Sequence, residues 1–193
     1  MNKHLIALTA AFVLAACSSG VPKPQTLPQF QSGGGWFQLE QRDAAGNVVQ
    51  SSLLAVEQGA DGVRFVQTDP LGAPLSRQVL SKKGWRNDGF VMPNASARRL
   101  FAAMLPLFAA DGAAVYPGLQ RSRAENGECF SQKGRTLWCS AQTGNRWLVT
   151  FPDQTKWSVV PIRDDSESNY FGTRQQAEDS TDSTARRSNA VTE

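Results

Sequence analysis

Residues 63–80 read VRFVQTDPLGAPLSRQVL, and this stretch decides the class of fold. Residues 63–68 alternate imperfectly between apolar and polar side chains, as half-buried strands do. The tetrad Asp69-Pro70-Leu71-Gly72 has Asp first, Pro second and Gly fourth, which a type I turn favours. Residues 73–80 then continue as a second strand. The stretch therefore predicts an antiparallel pair of strands joined by a tight turn.

Similar strand-like runs, separated by turn residues, lie on both sides of this pair. Before it, the Asp- and Gly-containing segment 43–47 separates residues 36–42 from residues 48–58. After it, Lys82-Lys83-Gly84 turns the chain into a run over 85–91. Four further runs follow, over 128–132, 136–140, 146–151 and 155–162. Short strands and turns in this order predict an antiparallel meander.

One segment interrupts the strands with helical spacing. Asn94 precedes residues 95–105 and is a suitable N-cap, and Pro106 limits continuation of the helix. Apolar side chains recur on one face of this helix: Leu100, Phe101, Met104, Leu105 and Phe108. About eight or nine strands with one helix predict a mainly β fold. We expect a strongly curved antiparallel sheet, or an incomplete β-barrel, with the helix as a lid.

The first residues predict export and lipidation. Lys3 and His4 precede an apolar run over 5–13, which is typical of a secretory signal peptide. That run is shorter than the about 20 residues that a membrane-spanning helix needs. Leu14-Ala15-Ala16-Cys17 matches the lipobox of bacterial lipoproteins, in which the cysteine is acylated, for instance with palmitate, and becomes the first mature residue. Acyl chains on Cys17 would anchor the protein to a membrane.

Composition divides the chain into four parts. Residues 1–16 are the signal peptide, and residues 17–35, rich in Ser, Pro, Gln and Gly, are predicted to be a lipidated, flexible tether. Residues 36–163 are a single β-rich domain, and the acidic, polar residues 164–193 are predicted to be disordered. Ser18 follows the cysteine, whereas aspartate there typically retains enterobacterial lipoproteins in the inner membrane. In a Gram-negative organism we therefore expect the periplasmic face of the outer membrane.

Charge and histidine content exclude several classes of function. Residues 18–163 contain sixteen Lys and Arg against ten Asp and Glu, which suits anionic lipid or simple solubility. An exported protein meets little nucleic acid, so we expect no nucleic-acid partner. His4, the only histidine, leaves with the signal peptide, which removes His-dependent nucleophile arrangements and the usual zinc ligand sets. The chain contains no phosphate loop and no dinucleotide fingerprint, so we expect no cofactor, metal or catalytic residues.

Two cysteines besides Cys17 predict a disulfide. Thiols in the periplasm tend to be oxidised, and Cys129 and Cys139 flank a short segment that contains Gly134. A three-residue hairpin loop over 133–135 would pair Gln132 with Thr136. In that register Cys129 lies directly opposite Cys139, within the range that a disulfide spans.

The layout resembles the LolA and LolB family, whose fold is an incomplete β-barrel with a helical lid. Residues 53–107 are similar to a LolB-like family of proteobacterial lipoproteins often encoded among aryl-polyene biosynthesis genes. The matching residues are Leu53-Leu54-Ala55-Val56, Asp69-Pro70-Leu71-Gly72, Arg77-Gln78-Val79-Leu80 and Arg98-Arg99-Leu100-Phe101. The resemblance covers about half of the domain. It implies an outer-membrane lipoprotein that handles a hydrophobic cargo.

Two functions remain open at this point. In the first, the protein binds or transfers a lipid, a lipoprotein's acyl chains or a polyene lipid without catalysis. Its cargo-binding residues would be Leu100, Phe101, Met104 and Leu105 on the lid, and Trp147, Val149 and Phe151 on the sheet. In the second, the core is filled and the protein is a structural adaptor that docks an envelope partner. A hollow barrel and a filled one have the same apolar pattern, so the sequence does not separate them.

Overall fold

Ten strands form one open antiparallel sheet in the computed structural model, which describes residues 21–30, 33–110 and 112–162. The order across the sheet is β5-β4-β3-β2-β1-β10-β9-β8-β7-β6, so two five-stranded meanders meet where β1 pairs with β10. The strands are β1 (Gly34–Arg42), β2 (Val48–Gly59), β3 (Gly62–Thr68), β4 (Pro74–Ser81), β5 (Gly84–Asn87), β6 (Gln120–Ala124), β7 (Gly127–Gln132), β8 (Arg135–Thr143), β9 (Arg146–Thr150) and β10 (Lys156–Ile162). The predicted mainly β fold with one helix is confirmed.

The turn between β3 and β4 forms as its residue types predict. The Asp69 carboxylate accepts hydrogen bonds from the backbone N–H groups of Leu71, at 2.9 Å, and Ala73, at 2.8 Å. Gly72 has a φ of +92°, a left-handed conformation that glycine adopts without steric cost. Local side-chain chemistry therefore fixes this hairpin independently of the core.

The helix α1 (Ala95–Phe108) links the two meanders and is longer than predicted. Asn94 is its N-cap, as expected, because its side-chain oxygen accepts from Ala97 N at 2.9 Å. The predicted end near Pro106 is wrong, since Pro106 lies inside the helix. Proline has no N–H to donate to the carbonyl of Ala102, four residues earlier. The hydroxyl of Tyr116 donates to that carbonyl instead, at 3.0 Å, and so satisfies the group that the proline leaves free.

One face of the sheet packs against α1 and forms the core. Alternate residues of each strand point to this inner face, as the period of two requires. Phe65 of β3 stacks on Phe101 of α1, with ring centroids 5.0 Å apart. Leu39, Leu54 and Val159 from the central strands are fully buried beneath the helix. The inner face is therefore the covered face, and the opposite, outer face is exposed to solvent.

The packed structure begins before the predicted domain boundary at residue 36. The flexible tether predicted over 17–35 is too long at its C-terminal end, because β1 begins at Gly34 and Phe30 is buried. The Gln58 side chain accepts from Phe30 N at 2.7 Å and donates to the Pro28 carbonyl at 3.2 Å. The Ser-, Pro- and Gly-rich sequence does not predict these contacts, because each depends on one side chain rather than on a repeating pattern. Residues 1–20 and 163–193, with the predicted signal peptide and tail, lie outside the described residues.

Two strands differ most from the prediction. The run predicted over 85–91 is a strand only as far as Asn87, because Gly89 takes a left-handed φ of +80° and the chain leaves the sheet. β6 was not predicted, because its sequence, Gln-Arg-Ser-Arg-Ala, has no apolar alternation. It is an edge strand with exposed side chains, and it is held by pairing with β7. Backbone hydrogen bonds, rather than burial, place this strand.

The antiparallel order sorts the connections to two ends of the sheet. Odd-numbered strands all run in one direction, so the connections that follow β1, β3, β5, β7 and β9 lie at the same end, here called the loop end. Most of the large apolar side chains that are exposed lie there, in or beside these connections: Val48, Val49, Leu71, Phe90 and Met92. Trp36 and Ile162 are exposed at the opposite end. Within the described ranges, no helix has the length and apolar character needed to span a bilayer.

Candidate functional site

The residues predicted to bind cargo lie together, but as a packed core. Leu100, Phe101 and Leu105 of α1 are 0 % exposed, and Met104 is 1 % exposed. A sphere the size of a water molecule therefore reaches almost none of their surface. In this conformation the lid side of the predicted site touches protein alone.

The sheet side of the predicted site is also largely covered. Trp147 and Val149 share the inner face of β9, as their spacing predicts, and Phe151 follows the strand. Val149 is fully buried and Phe151 nearly so. Trp147 is partly buried and packs edge-on against Phe108, with ring centroids 6.2 Å apart. The interior between helix and sheet is thus filled by these side chains, and a cargo could enter there only if α1 moved.

A groove of about 300 Å³ lies at the edge of this core, at the loop end. The β9–β10 turn and the start of β8 supply most of its walls, and α1 supplies one residue. Its lining residues are Val21, Pro22, Arg99, Arg135, Thr136, Leu137, Trp138, Phe151, Pro152 and Asp153. Trp138 and Phe151 belong to the core as well, so the apolar floor of the groove is continuous with the interior. Of the predicted cargo residues, Phe151 lines this groove.

Charged groups stand at the rim of the groove. Arg99 donates to the Asp153 carboxylate at 2.7 Å, and its guanidinium lies 4.3 Å above the ring of Phe151. The hydrogen bond from Arg99 is the main reason that the pKa of Asp153 lies below its usual value. Arg135 adds a second cation to the lining. An apolar floor with a cationic rim suits an amphipathic ligand that has an anionic or polar head.

One of the floor residues, Trp138, carries a buried polar group without a partner among the described residues. The indole N–H of Trp138 is buried and has no hydrogen-bond partner among the described residues. A buried donor of this kind costs free energy, about 1–3 kcal/mol, until it is satisfied. The N–H itself has almost no accessible surface, so a ligand oxygen would gain this hydrogen bond only if the neighbouring side chains moved.

The sequence did not reveal this groove as a site. Arg99 and Asp153 are separated by 54 positions, and the walls come from four distant parts of the chain. No periodic pattern or local motif connects them. The one sign of the site in the sequence is the pair Arg98-Arg99, which places cations in the first turns of the helix.

Polar contacts fix the N-terminal half of α1 to the sheet. Arg98 donates to the Gln78 side-chain oxygen at 2.7 Å and to the Asn87 side-chain oxygen at 2.8 Å. Gln78 is buried and donates to the Asn94 carbonyl at 3.0 Å. Any movement of the helix away from the sheet would break these bonds and expose Gln78.

The predicted cysteine pair is present, although the hairpin differs in detail. Cys129 and Cys139 are directly opposed, with Cα atoms 4.0 Å apart and sulfurs at disulfide-bonding distance. The predicted three-residue loop is wrong, because Gln132 pairs with Arg135 around a two-residue turn. Lys133 and Gly134 both have positive φ, as a type I′ turn requires. A bulge that leaves Leu137 unpaired restores the register before the cysteines.

The remaining predicted residue, Cys17, lies outside the described residues. Within the described ranges, no cluster of three or more His, Cys, Asp or Glu side chains is placed to hold a metal ion. No protein-family model matches the chain, and no curated protein matches it in sequence. The function is therefore argued from the geometry of the groove and the core.

Proposed function

We propose that this protein is an outer-membrane lipoprotein, anchored through Cys17, that binds or transfers a hydrophobic cargo in the periplasm without catalysis. The observation that carries the proposal is the groove at the loop end, whose apolar floor of Trp138 and Phe151 continues into the core. The lipobox ending at Cys17 and the resemblance to the LolA and LolB family support the same function. The cargo class is a lipid, a lipoprotein's acyl chains or a polyene lipid.

The groove is the proposed point of first contact for the cargo. An acyl or polyene chain would lie against Leu137 and Phe151, and its polar head would lie beside Arg99 and Arg135. A chain longer than the groove would have to displace α1 from the sheet. The Arg98 hydrogen bonds and the Phe65–Phe101 stacking hold α1 in place, so deeper entry costs free energy. The proposal therefore separates shallow binding in the groove from deep binding under the helix.

Native mass spectrometry provides the first test. Residues 18–193 contain every described element and can be exported with a cleavable signal, then purified without detergent. We expect an excess mass that denaturation releases as an acyl or polyene species, or the uptake of an added fatty acid. A clean mass with no uptake of added lipid would contradict the proposal.

A substitution in the groove tests where the cargo binds. Leu137→Lys places a charge on the apolar wall and should reduce uptake of a fluorescent fatty acid by about tenfold, since burying one leucine contributes about 1.5–3 kcal/mol. Leu71→Lys is the matched control, because Leu71 is exposed in the β3–β4 turn and does not line the groove. Equal uptake by both variants would exclude the groove as the binding site.

The filled interior favours a second candidate, a structural adaptor that docks an envelope protein. Leu100, Phe101 and Leu105 are already covered by protein, so the core needs no cargo to complete it. An adaptor should take up no lipid and should retain a defined partner after cross-linking in intact cells. Lipid uptake that Leu137→Lys abolishes would exclude this candidate.

A further inference from the structure

Three arginine side chains on the outer face surround one carboxylate. Arg64 of β3, Arg77 of β4 and Arg86 of β5 place guanidinium nitrogens 3.4, 3.5 and 3.7 Å from the Asp88 carboxylate. One negative charge cannot balance three positive ones. Two further carboxylates lie beside these arginines: Glu57 faces Arg64 across the β2–β3 pairing, and Asp61 lines one surface depression with Arg64 and Arg86 and a second with Lys82 and Lys83. With Lys82 and Lys83, five cations lie among three carboxylates, so the surface around Arg64, Arg77 and Arg86, here called the arginine cluster, carries a net positive charge.

The donors of the arginine cluster remain available to a ligand. Charge-assisted hydrogen bonds between guanidinium and carboxylate are usually about 2.7–2.9 Å long, shorter than all three contacts. The Asp88 Oδ2 atom has no hydrogen-bond partner among the described residues. The three arginine side chains are 42–60 % exposed, so a ligand can reach them. Asp88 thus holds the three arginines close together, but it does not occupy their guanidinium N–H groups with short hydrogen bonds.

A purely structural role explains the aliphatic parts of the arginine side chains but not the position of their guanidinium groups. Val79 lies on the outer face between Arg64 and Arg86, yet it is buried. The aliphatic stems of the two flanking arginines can cover it, as long cationic side chains often do. Covering a valine does not require three guanidinium groups on one carboxylate, and their mutual repulsion opposes the arrangement.

Two apolar side chains protrude beside the arginine cluster. Phe90 is fully exposed and Met92 is 81 % exposed, in the segment between β5 and α1. The base of this segment is held, because Asp88 N donates to the Arg77 carbonyl at 2.9 Å and the Asn94 side chain donates to the Leu75 carbonyl at 3.4 Å. An ordered loop thus keeps an aromatic ring in water.

The loop and the arginines form one continuous surface. A methyl group added at Gly89 would lie 3.8 Å from Arg77 Nη1, so the chain passes directly beside the arginine cluster on its way to Phe90. Exposed apolar side chains beside clustered arginines have the chemistry of a surface that binds membranes peripherally. Arginine forks bind phosphate oxygens, and aromatic and thioether side chains enter the apolar boundary of the lipid.

We propose that Arg64, Arg77, Arg86, Phe90 and Met92 bind the surface of an anionic phospholipid bilayer. The guanidinium groups donate hydrogen bonds to lipid phosphates, and Phe90 and Met92 insert at the headgroup boundary. A soluble anion would engage the arginines alone and would leave the two apolar side chains in water. The segment that carries Phe90 lies at the loop end beside the edge strand β5, whereas the groove lies at the same end of the sheet beside β8 and the β9–β10 turn.

Vesicle flotation tests the proposal on residues 18–193, which lack Cys17 and its acyl chains. The chain should bind vesicles of phosphatidylethanolamine and phosphatidylglycerol at least about tenfold more tightly than vesicles of phosphatidylcholine, and less tightly as salt increases. Each of Arg64→Gln, Arg77→Gln and Arg86→Gln should weaken binding about fivefold, which corresponds to about 1 kcal/mol for each cation near an anionic surface. Phe90→Ser should weaken it about tenfold.

Two matched controls distinguish this surface from general charge and hydrophobicity. Arg123→Gln removes an exposed arginine from β6, at the far edge of the sheet, and Trp36→Ser removes an exposed aromatic side chain from the opposite end. Both should bind as the parent chain does. Phe90 and Arg86 are exposed, so their variants should keep the parent's melting temperature, and the same samples can be used for both measurements.

The outcomes also separate this surface from the groove. Equal binding to neutral and anionic vesicles, or unchanged binding by the arginine variants, would overturn the proposal. Binding of inorganic phosphate without vesicle binding would overturn it as well, because it would show an anion site only. Leu137→Lys should retain vesicle binding, so loss of cargo uptake and loss of membrane binding can be observed independently.

Discussion

At the scale of single residues, Tyr116 has the most clearly defined structural role. Its hydroxyl donates to the Ala102 carbonyl, which Pro106 leaves without its helical donor. The phenol is buried against Trp138, with ring centroids 5.9 Å apart, and therefore joins α1 to β8. One hydrogen bond thus permits a proline inside the helix and connects the two halves of the sheet through it.

Tyr116→Phe should lower the free energy of unfolding by about 1–3 kcal/mol, because it leaves the buried Ala102 carbonyl unsatisfied. Pro106→Ala restores a backbone N–H that can donate to the same carbonyl. The cost of Tyr116→Phe should therefore be smaller in the Pro106→Ala background, as measured by urea denaturation of all four chains. Equal costs in both backgrounds would show that the hydroxyl and the missing N–H are not coupled.

Burial of Tyr116 also predicts a dependence on alkaline pH. Desolvation raises the pKa of the phenol well above its usual value of 10.0, so the folded protein keeps the proton. The unfolded chain loses that proton near pH 10, which stabilises the unfolded state as pH increases further. Stability should thus fall more steeply above pH 10 in the parent chain than in Tyr116→Phe. Parallel denaturation curves for the two chains between pH 9 and pH 11 would refute this.

At the scale of secondary-structure elements, the β7–β8 hairpin shows how three separate features together fix the pairing register of two strands. The Lys133-Gly134 turn starts the pairing, the bulge at Leu137 shifts it by one residue, and Cys129 then meets Cys139. The shift also places Trp138 opposite Phe130, with the two rings stacked 5.1 Å apart. The bulge therefore allows the hairpin to present Trp138 to the core and Leu137 to the groove.

Reduction of the Cys129–Cys139 pair should destabilise the protein by somewhat less than about 3 kcal/mol, because the closed loop is short. The measurement is denaturation with and without reductant, accompanied by a free-thiol assay on protein taken from the periplasm. The double variant Cys129→Ala, Cys139→Ala should not respond to reductant. Two free thiols in the untreated parent would contradict the disulfide.

At the scale of the whole molecule, the central question is where cargo lies relative to the lid. The structure has a filled interior under α1 and an open groove beside it, and both share the floor residues Trp138 and Phe151. The arginine cluster and the exposed Phe90 segment belong to the first meander, and most of the groove belongs to the second. Cargo uptake in the groove and membrane binding by the arginine cluster can therefore be tested separately.

Phe101→Leu distinguishes shallow from deep binding. The smaller side chain opens space under α1 and should cost about 1 kcal/mol of stability, since the cavity is small. If cargo binds in the groove, uptake of the fluorescent fatty acid should stay within about twofold of the parent. Increased uptake of long-chain probes, with short-chain probes unchanged, would instead place the cargo under the helix.

The sequence alone determined the class of fold and many of its local features. Alternation in residues 63–68, the Asp69 turn and the Asn94 cap each act over a few residues, so their outcome is readable from the residue types. The opposition of Cys129 and Cys139 was also predicted, although from a loop one residue too long. β6 was not predicted, because pairing with a neighbour, rather than an apolar pattern, holds an exposed edge strand in place.

Tertiary structure decided the features that depend on distant residues. Whether the interior is filled depends on how Phe65 and Phe101 meet, and the same apolar pattern would suit a hollow barrel. Tyr116 supplies the hydrogen bond to Ala102 that Pro106 cannot donate, and Arg99 meets Asp153, 54 positions later, at the rim of the groove. Local propensity acts along the chain, whereas packing, ion pairs and grooves arise between segments that only the folded sheet brings together.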